Sequence, residues 1–331
     1  MTNWPIFALI LLIVILLFRL RSYWARESRE IHSVHDVLLD PEKLIIHAKE
    51  IAINHAINGR TKRARCLLRR LEKNFRRITF VYKNLSEQSR ENRDLSPSAE
   101  WLLDNFYLIE EQVQEVKGTF SQEKYSQLKI LSGGYLQGYP RVYAIALELV
   151  SHTNGRLDGD TLISFVNAYQ SRRFLSTAEI WSLSLMARIA LIEYLRNLSD
   201  RIYQTQTQWE KVKILKNRKP EEILAYVKRS FAEASAGGAS FLEHLLGELR
   251  KLNDDATAET LSYLKEGLSE WGIPIDRVIE QEHQEQASRK ISMGNAITSL
   301  KTLSTMDWTE IFESLSMVDA ILRQDPSEVY P

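Results

Sequence analysis

Helix breakers are scarce along this chain of 331 residues, which holds only 13 glycines and 8 prolines. Sandwiches and barrels need many turns, and turns use glycine and proline. Apolar residues instead recur at the three- and four-residue spacing of amphipathic helices, and the alternation typical of strands is absent. The sequence therefore predicts an all-α fold, either a multi-helix bundle or a solenoid-like array of helices.

The most apolar segment lies at the N-terminus, where Trp4–Phe18 carries no charge. Trp4 and Trp24 would lie about 30 Å apart in a helix, which matches the hydrocarbon thickness of a bilayer. Arginines follow the run from Arg19 onward, whereas a cleaved signal peptide has its basic residues in front. The sequence predicts one uncleaved span within residues 1–24, with Trp4 and Trp24 at the two membrane interfaces. The positive-inside rule places the N-terminus outside and the rest in the cytoplasm.

Positive charge is concentrated behind this span. The net charge of the whole chain is zero, yet residues 1–90 hold 17 basic and 8 acidic side chains. Residues 25–95 are predicted to form a basic juxtamembrane segment, with an amphipathic helix over 60–90. Such a helix beside a cytoplasmic membrane surface is typical of contact with anionic lipids. The candidate lipid-contacting residues are Arg63, Arg69, Arg70, Arg76 and Arg77.

Two other interpretations of the basic helix remain open. It could be a solvated helix that only reinforces the membrane topology, or it could bind an acidic protein partner. Nucleic acid is not an expected partner, because no nucleic-acid-binding motif accompanies the basic residues and the chain is predicted to be tethered to a membrane.

Residues 96–331 are predicted to form one helical domain. Asp40 and Ser96 each precede a proline, and this pair is typical of a helix N-cap followed by the first helical residue. Asp158, Ser176, Ser240 and Asp307 are further candidate N-caps. The helices predicted beyond residue 96 span 97–117, 140–153, 159–171, 177–214, 220–235, 240–252, 256–271, 275–287, 290–303 and 307–323.

The segment Gly133–Arg141 is the least helical stretch, and it combines glycines with aromatic residues. We interpret it as a candidate docking loop that uses Tyr135, Tyr139 and Arg141. The alternative is a plain connection between helices. Its glycine spacing fits neither of the common phosphate-binding motifs.

No catalytic, cofactor-binding or metal-ligating residue is predicted in this chain. Asp158-Gly159-Asp160 matches the D-x-D motif of sugar-nucleotide transferases, but at a helix start Asp158 is better explained as an N-cap. His32, His35, His47 and His55 form the only histidine cluster of the sequence, but no nearby cysteine completes a zinc site, so they are predicted to be solvated or interfacial. Three tryptophans in apolar helical patterns are predicted to pack in the core: Trp101, Trp181 and Trp308.

Four blocks of the sequence carry a family resemblance: SPSAEWLLDNFYLIEEQVQEV (96–116), GYPRVYAIALELVSHTNGRLD (138–158), STAEIWSLSLMARIALIEYLRNLS (176–199) and SMGNAITSLKTLSTMDWTEIFESLSMVDAILRQDPSEVY (292–330). They resemble the N-terminal portion of the cyclic β-1,2-glucan synthase family of bacterial membrane glycosyltransferases. Residues 1–95 match that family only in general character.

The resemblance implies a parent enzyme that is several times longer, with a UDP-glucose-dependent transferase domain and phosphorylase-like domains. None of the four blocks carries those domains, and the chain ends inside the last block. The sequence therefore predicts an incomplete member at the inner membrane of a bacterium, inactive alone and without a cofactor. It would anchor or organise the missing transferase and phosphorylase-like domains as partners. The alternative is a stand-alone membrane adaptor that docks partner proteins or anionic lipid without catalysis.

Overall fold

The computed structural model describes residues 37–57, 67–232, 237–252 and 255–316. Within these ranges the chain is all-α, as predicted, with two isolated β-bridges and no strand. The helices are α1 (Pro41–Asn54), α2 (Leu67–Arg90), α3 (Pro97–Thr119), α4 (Gln122–Ser126), α5 (Arg141–His152), α6 (Gly159–Gln170), α7 (Thr177–Trp181), α8 (Leu183–Leu215), α9 (Pro220–Ala232), α10 (Gly237–Leu252), α11 (Asp255–Glu270), α12 (Ile275–Thr305) and α13 (Trp308–Leu315).

The predicted membrane span, with Trp4 and Trp24, lies outside the described residues. Among the helices that the structure does describe, none combines the length and the apolar character needed to cross a bilayer.

Local capping explains several helix starts. The Asp40 carboxylate accepts a hydrogen bond from the Lys43 amide at 2.9 Å, and Pro41 is the first residue of α1. The Asp158 carboxylate accepts from the Thr161 amide at 2.9 Å. These contacts satisfy amide groups that have no partner inside the helix. The prediction that Asp158 is an N-cap is therefore confirmed.

Other predicted boundaries were wrong. The helix predicted over 177–214 is interrupted at Ser182, whereas the two helices predicted over 275–287 and 290–303 are one continuous helix, α12. Ser240 is not an N-cap, because α10 already begins at Gly237. Its hydroxyl instead accepts a hydrogen bond from the Trp209 indole at 3.2 Å.

Helix α8 is the centre of the bundle, in contact with α2, α3, α5, α7, α10 and α12. Its first half is buried on almost every side, because apolar residues occupy all faces over Met186–Leu198. A helix that is apolar all round must be covered by neighbours on all sides. The sequence of α8 therefore makes it the helix on which the others assemble.

The described residues form two apolar clusters. The larger involves α1 to α8, α13 and the C-terminal part of α12, and the smaller joins α9, α10 and α11 to Val212 near the end of α8. The larger cluster crosses the predicted domain boundary at residue 95, since Leu85 of α2 and Leu102 of α3 both belong to it. The basic segment thus shares a core with the residues that follow it.

A buried ion pair attaches α2 to α8. The Arg70 guanidinium donates to Glu193 through Nε at 2.6 Å and Nη2 at 2.5 Å, and Asn74 and Tyr143 also donate to this carboxylate. Glu193 is fully buried and Arg70 is 7% exposed. Burial alone would raise the pKa of Glu193, but Arg70 outweighs burial and holds that pKa below its ordinary value.

Arg70 therefore has no access to lipid in this structure, which corrects its assignment as a lipid contact. A charged residue on an amphipathic helix is usually solvated, and here a buried acid on another helix reverses that expectation. Arg63 lies outside the described residues. Arg69 and Arg76 are exposed, while Arg77 is half-buried and donates from Nε to Asp200 at 2.5 Å.

Candidate functional site

Two histidines and a glutamate meet where α1 packs beside α5. His47 lies on α1, and Glu148 and His152 lie on α5. The Glu148 Oε2 atom is 3.0 Å from His47 Nε2 and 3.4 Å from His152 Nε2. The two imidazole rings are 4.5 Å apart between centroids and inclined by 71°. We call these three residues the His–Glu–His cluster.

The sequence of each helix explains this meeting. Glu148 and His152 are four residues apart and therefore lie on one face of α5. On α1, Leu44, Ala48 and Ala52 are buried, and the small alanines let this helix lie close to its neighbours. His47 sits at the edge of that buried stripe, where its ring reaches Glu148.

The segment before α1 holds His152 in place. His152 Nδ1 lies 2.8 Å from the Val37 carbonyl, and the His152 carbonyl accepts from the Leu39 amide at 3.1 Å. A carbonyl oxygen only accepts hydrogen bonds, so Nδ1 carries a proton and donates it. His152 Nε2 therefore faces Glu148: it donates to this carboxylate when the ring is protonated, and it presents a lone pair when the imidazole is neutral.

A loop residue completes the surroundings of Glu148. The Tyr135 hydroxyl donates a hydrogen bond to Glu148 Oε1. Tyr135 precedes Gly138, whose φ of +89° is the left-handed conformation that glycine adopts without strain. This turn lets the Gly138 amide donate to the Leu131 carbonyl at 2.9 Å, which closes the loop beside α5.

Hydrogen bonding determines the ionisation of the cluster. Burial alone would raise the pKa of Glu148, but donors on His152, His47 and Tyr135 outweigh burial and hold that pKa far below its ordinary value. Burial opposes protonation of His152, yet Glu148 and the Val37 carbonyl raise its pKa above the usual value. The cluster therefore holds a stable carboxylate between two imidazoles.

The structure corrects the predicted docking loop. Tyr139 is 1% exposed and Arg141 is fully buried, so neither side chain is available to a partner. The Arg141 guanidinium donates to Glu179 at 2.6 and 2.7 Å and thereby joins α5 to α7, and Tyr139 contacts Arg70. Tyr135 alone of the three is more than one-third exposed, and its hydroxyl is engaged by Glu148.

The predicted tryptophan environments were only partly right. Trp181 is 53% exposed and stacks on Phe312 at 4.3 Å, which contradicts its assignment to the core. Trp101 is also partly exposed, and Trp308 is half-buried with its indole donating to the Leu303 carbonyl. Trp181 borders a cavity of about 280 Å³ whose lining also includes Glu115, Tyr125, Met186 and Arg188.

Sequence reasoning missed the His–Glu–His cluster. The available signal was the spacing of Glu148 and His152, which places a carboxylate and an imidazole one helical turn apart. His47 lies 101 residues before Glu148, and nothing in the local sequence pairs them. His47 is partly buried and contacts Glu148, so its prediction as a solvated or interfacial residue misses this role.

A second set of ligand-type side chains lies elsewhere. Donor atoms of Asp94, His244 and Glu248 lie within 4.8 Å of one another. Lys216 and Lys251 donate to the two oxygens of Glu248 at 3.1 and 2.8 Å. Because two ammonium groups already neutralise this carboxylate, the second set is poorly suited to bind a cation.

The fold and the site define an all-α protein in which several buried carboxylates are bound by guanidinium or imidazole groups. No known family profile matches the chain. The chain is 29% identical over 261 residues to the protein named cyclic β-(1,2)-glucan synthase NdvB from Rhizobium meliloti (strain 1021). The match covers 77% of this chain and 9% of the relative. The chain is thus distantly related to part of that large protein, which confirms the resemblance shown by the sequence blocks.

We expect His55, near the cluster, to make stability depend on pH. Its Nδ1 lies 3.0 Å from the Tyr169 hydroxyl, and burial first, with Arg141 and Arg173 in addition, lowers its pKa to about 4. The unfolded chain has the ordinary value near 6.5 and binds the proton first as pH falls. We predict that this group removes up to about 3 kcal/mol of stability between pH 6.5 and pH 4.

Chemical denaturation across this pH range measures the effect. In His55→Gln, this loss of unfolding free energy with falling pH should disappear. In His283→Gln, which alters an exposed histidine, the loss should remain. An unchanged slope in His55→Gln would show that this imidazole is not buried in its neutral form.

Proposed function

We propose that this chain is a non-catalytic helical module of a cyclic β-1,2-glucan synthase-like glycosyltransferase system at the cytoplasmic face of a bacterial inner membrane. The observation that carries the proposal is the match of most of the chain to a small part of a large protein named as such a synthase. The catalytic domains are partners in this proposal, and the chain contributes their attachment and placement.

The roles of the acidic residues support a structural module. Glu193 and Glu179 are buried and each bind an arginine from another helix, so their charges join helices. The D-x-D carboxylates lie at the start of α6, where Asp158 caps the helix and Asp160 occupies its first turn. Negative charge at this position stabilises the helix through its dipole.

The outer face of α1 supports placement against a membrane. Large apolar side chains are exposed there and just before it: Val37, Leu38, Ile45, Ile46 and Ile53. Trp24, at the predicted membrane interface, lies 13 residues before Val37, a distance of at most about 45 Å for an extended chain. We therefore propose that this apolar face contacts the bilayer surface, as interfacial helices do. Arg69 and Arg76 remain the exposed candidates for contact with anionic lipid.

Synthesis of glucan is the direct test of the module. The full chain, purified alone and supplied with UDP-glucose, should form no β-1,2-glucan. Membranes that contain the catalytic domains should synthesise β-1,2-glucan. When the chain is purified from these membranes in mild detergent, the synthase activity should be recovered together with it. Glucan formation by the chain alone would make it an enzyme. Purification without any synthase activity would favour the stand-alone adaptor.

Membrane contact by α1 is tested with a fluorophore on a single cysteine. The full chain carries Cys66→Ser together with Ile53→Cys, and it is reconstituted into nanodiscs that contain nitroxide-labelled lipid. We expect quenching at least about twofold stronger than for Lys265→Cys, an exposed position on α11, which does not pack against α1. Equal quenching at the two positions would contradict the proposed contact.

A further inference from the structure

We propose that His47, Glu148 and His152 bind a divalent transition-metal ion of the zinc class, which joins α1 to α5. One ligand atom from each residue lies within 4.8 Å of the other two. Two imidazoles and one carboxylate form a common protein ligand set for zinc. The proposal is independent of the proposed function, since it concerns only the contact between these two helices.

The spacing of the donor atoms fits such an ion. Ligands bound tetrahedrally at about 2.0–2.1 Å from a zinc ion are separated from one another by about 3.3 Å. In this structure Glu148 Oε2 lies 3.0 Å from one imidazole nitrogen and 3.4 Å from the other. The ligand atoms of the two histidines lie within 4.8 Å of each other, so an ion that binds all three groups would bring the two imidazoles closer together.

The outer contacts orient the ligands in the way metal sites require. A ligating histidine usually donates its other ring N–H to a carbonyl or carboxylate, which fixes the tautomer. His152 Nδ1 does this toward the Val37 carbonyl at 2.8 Å and directs Nε2 at the cluster. Tyr135 binds the other oxygen of Glu148, so Oε2 is the atom presented to both imidazoles.

The surroundings provide a route for the ion and restrict its identity. The His47 side chain is 22% exposed, whereas those of Glu148 and His152 are 9% and 6% exposed, so an ion reaches the cluster from the His47 side. Imidazole ligands favour zinc, cobalt, nickel or copper, whereas magnesium and calcium prefer oxygen ligands. Three protein ligands leave a fourth position for water.

Binding would secure the segment at the start of the described chain. Val37 and Leu39 both hydrogen-bond to His152, and α1 supplies His47. An ion on these ligands would therefore hold residues 37–54 against α5 more firmly than the hydrogen bonds alone.

Metal content of the untagged full chain tests the proposal. The protein is stripped with a chelator in detergent, dialysed against zinc, and analysed by mass spectrometry of the metal. We expect about one tightly bound zinc per chain and a higher melting temperature with zinc. A cobalt-loaded sample should show the absorption of a four-coordinate site. His47→Asn and Glu148→Gln should each weaken zinc binding about 100-fold or more, because even loss of an outer contact costs 10- to 100-fold.

Matched variants separate this site from other metal-binding groups. His283→Asn alters an exposed histidine paired with Glu243, and His244→Asn alters the second set of ligand-type side chains. Both should keep the wild-type zinc affinity. Circular dichroism of the metal-free variants checks that they fold. If Glu148→Gln fails to fold, the zinc affinity of His47→Asn, which alters the more exposed ligand, still tests the proposal. Absence of zinc from the wild type, or equal zinc affinity in His47→Asn, would overturn the proposal.

Discussion

The buried contact between Arg70 and Glu193 is the interaction on which the described fold most depends. Glu193 is fully buried on α8, the helix that contacts most of the others, and its carboxylate binds groups from α2 and α5. A buried carboxylate is costly unless it is paired and hydrogen-bonded. We expect this charge to require that α2, α5 and α8 come together in one register, since apolar packing alone would tolerate several arrangements.

The same principle recurs around this centre. Arg141 and Glu179 join α5 to α7, and His47, Glu148 and His152 join α1 to α5. Helix α5 takes part in all three clusters, and its residues are buried over its whole length. Polar groups thus fix the relative positions of helices whose apolar surfaces supply the burial energy. The proposed metal site would extend this principle to the segment nearest the predicted membrane span.

Local signals predicted much of the secondary structure but few of the contacts. Asp40-Pro41 and Ser96-Pro97 marked helix starts correctly, because capping involves neighbouring residues. The predicted role of Arg70 as a lipid contact was wrong. A basic residue between leucines on a helix is normally solvated, and nothing in the local sequence reveals an acidic partner 123 residues away. Glycines surround Tyr139 and Arg141, and this local pattern predicts exposed side chains, whereas the fold buries both. The His–Glu–His cluster could not be assembled from sequence, because only the fold brings His47 to Glu148.

A double-mutant cycle on the central ion pair tests most directly whether buried charge organises this protein. Arg70→Met and Glu193→Leu, made singly and together, are compared by chemical denaturation, with Arg156→Ala as a control for an exposed pair. Each single change should lower the free energy of unfolding by about 3–5 kcal/mol, and the double variant should recover most of that loss, since it leaves no unpaired buried charge. Losses that simply add in the double variant, or single losses no larger than the control's, would contradict this account.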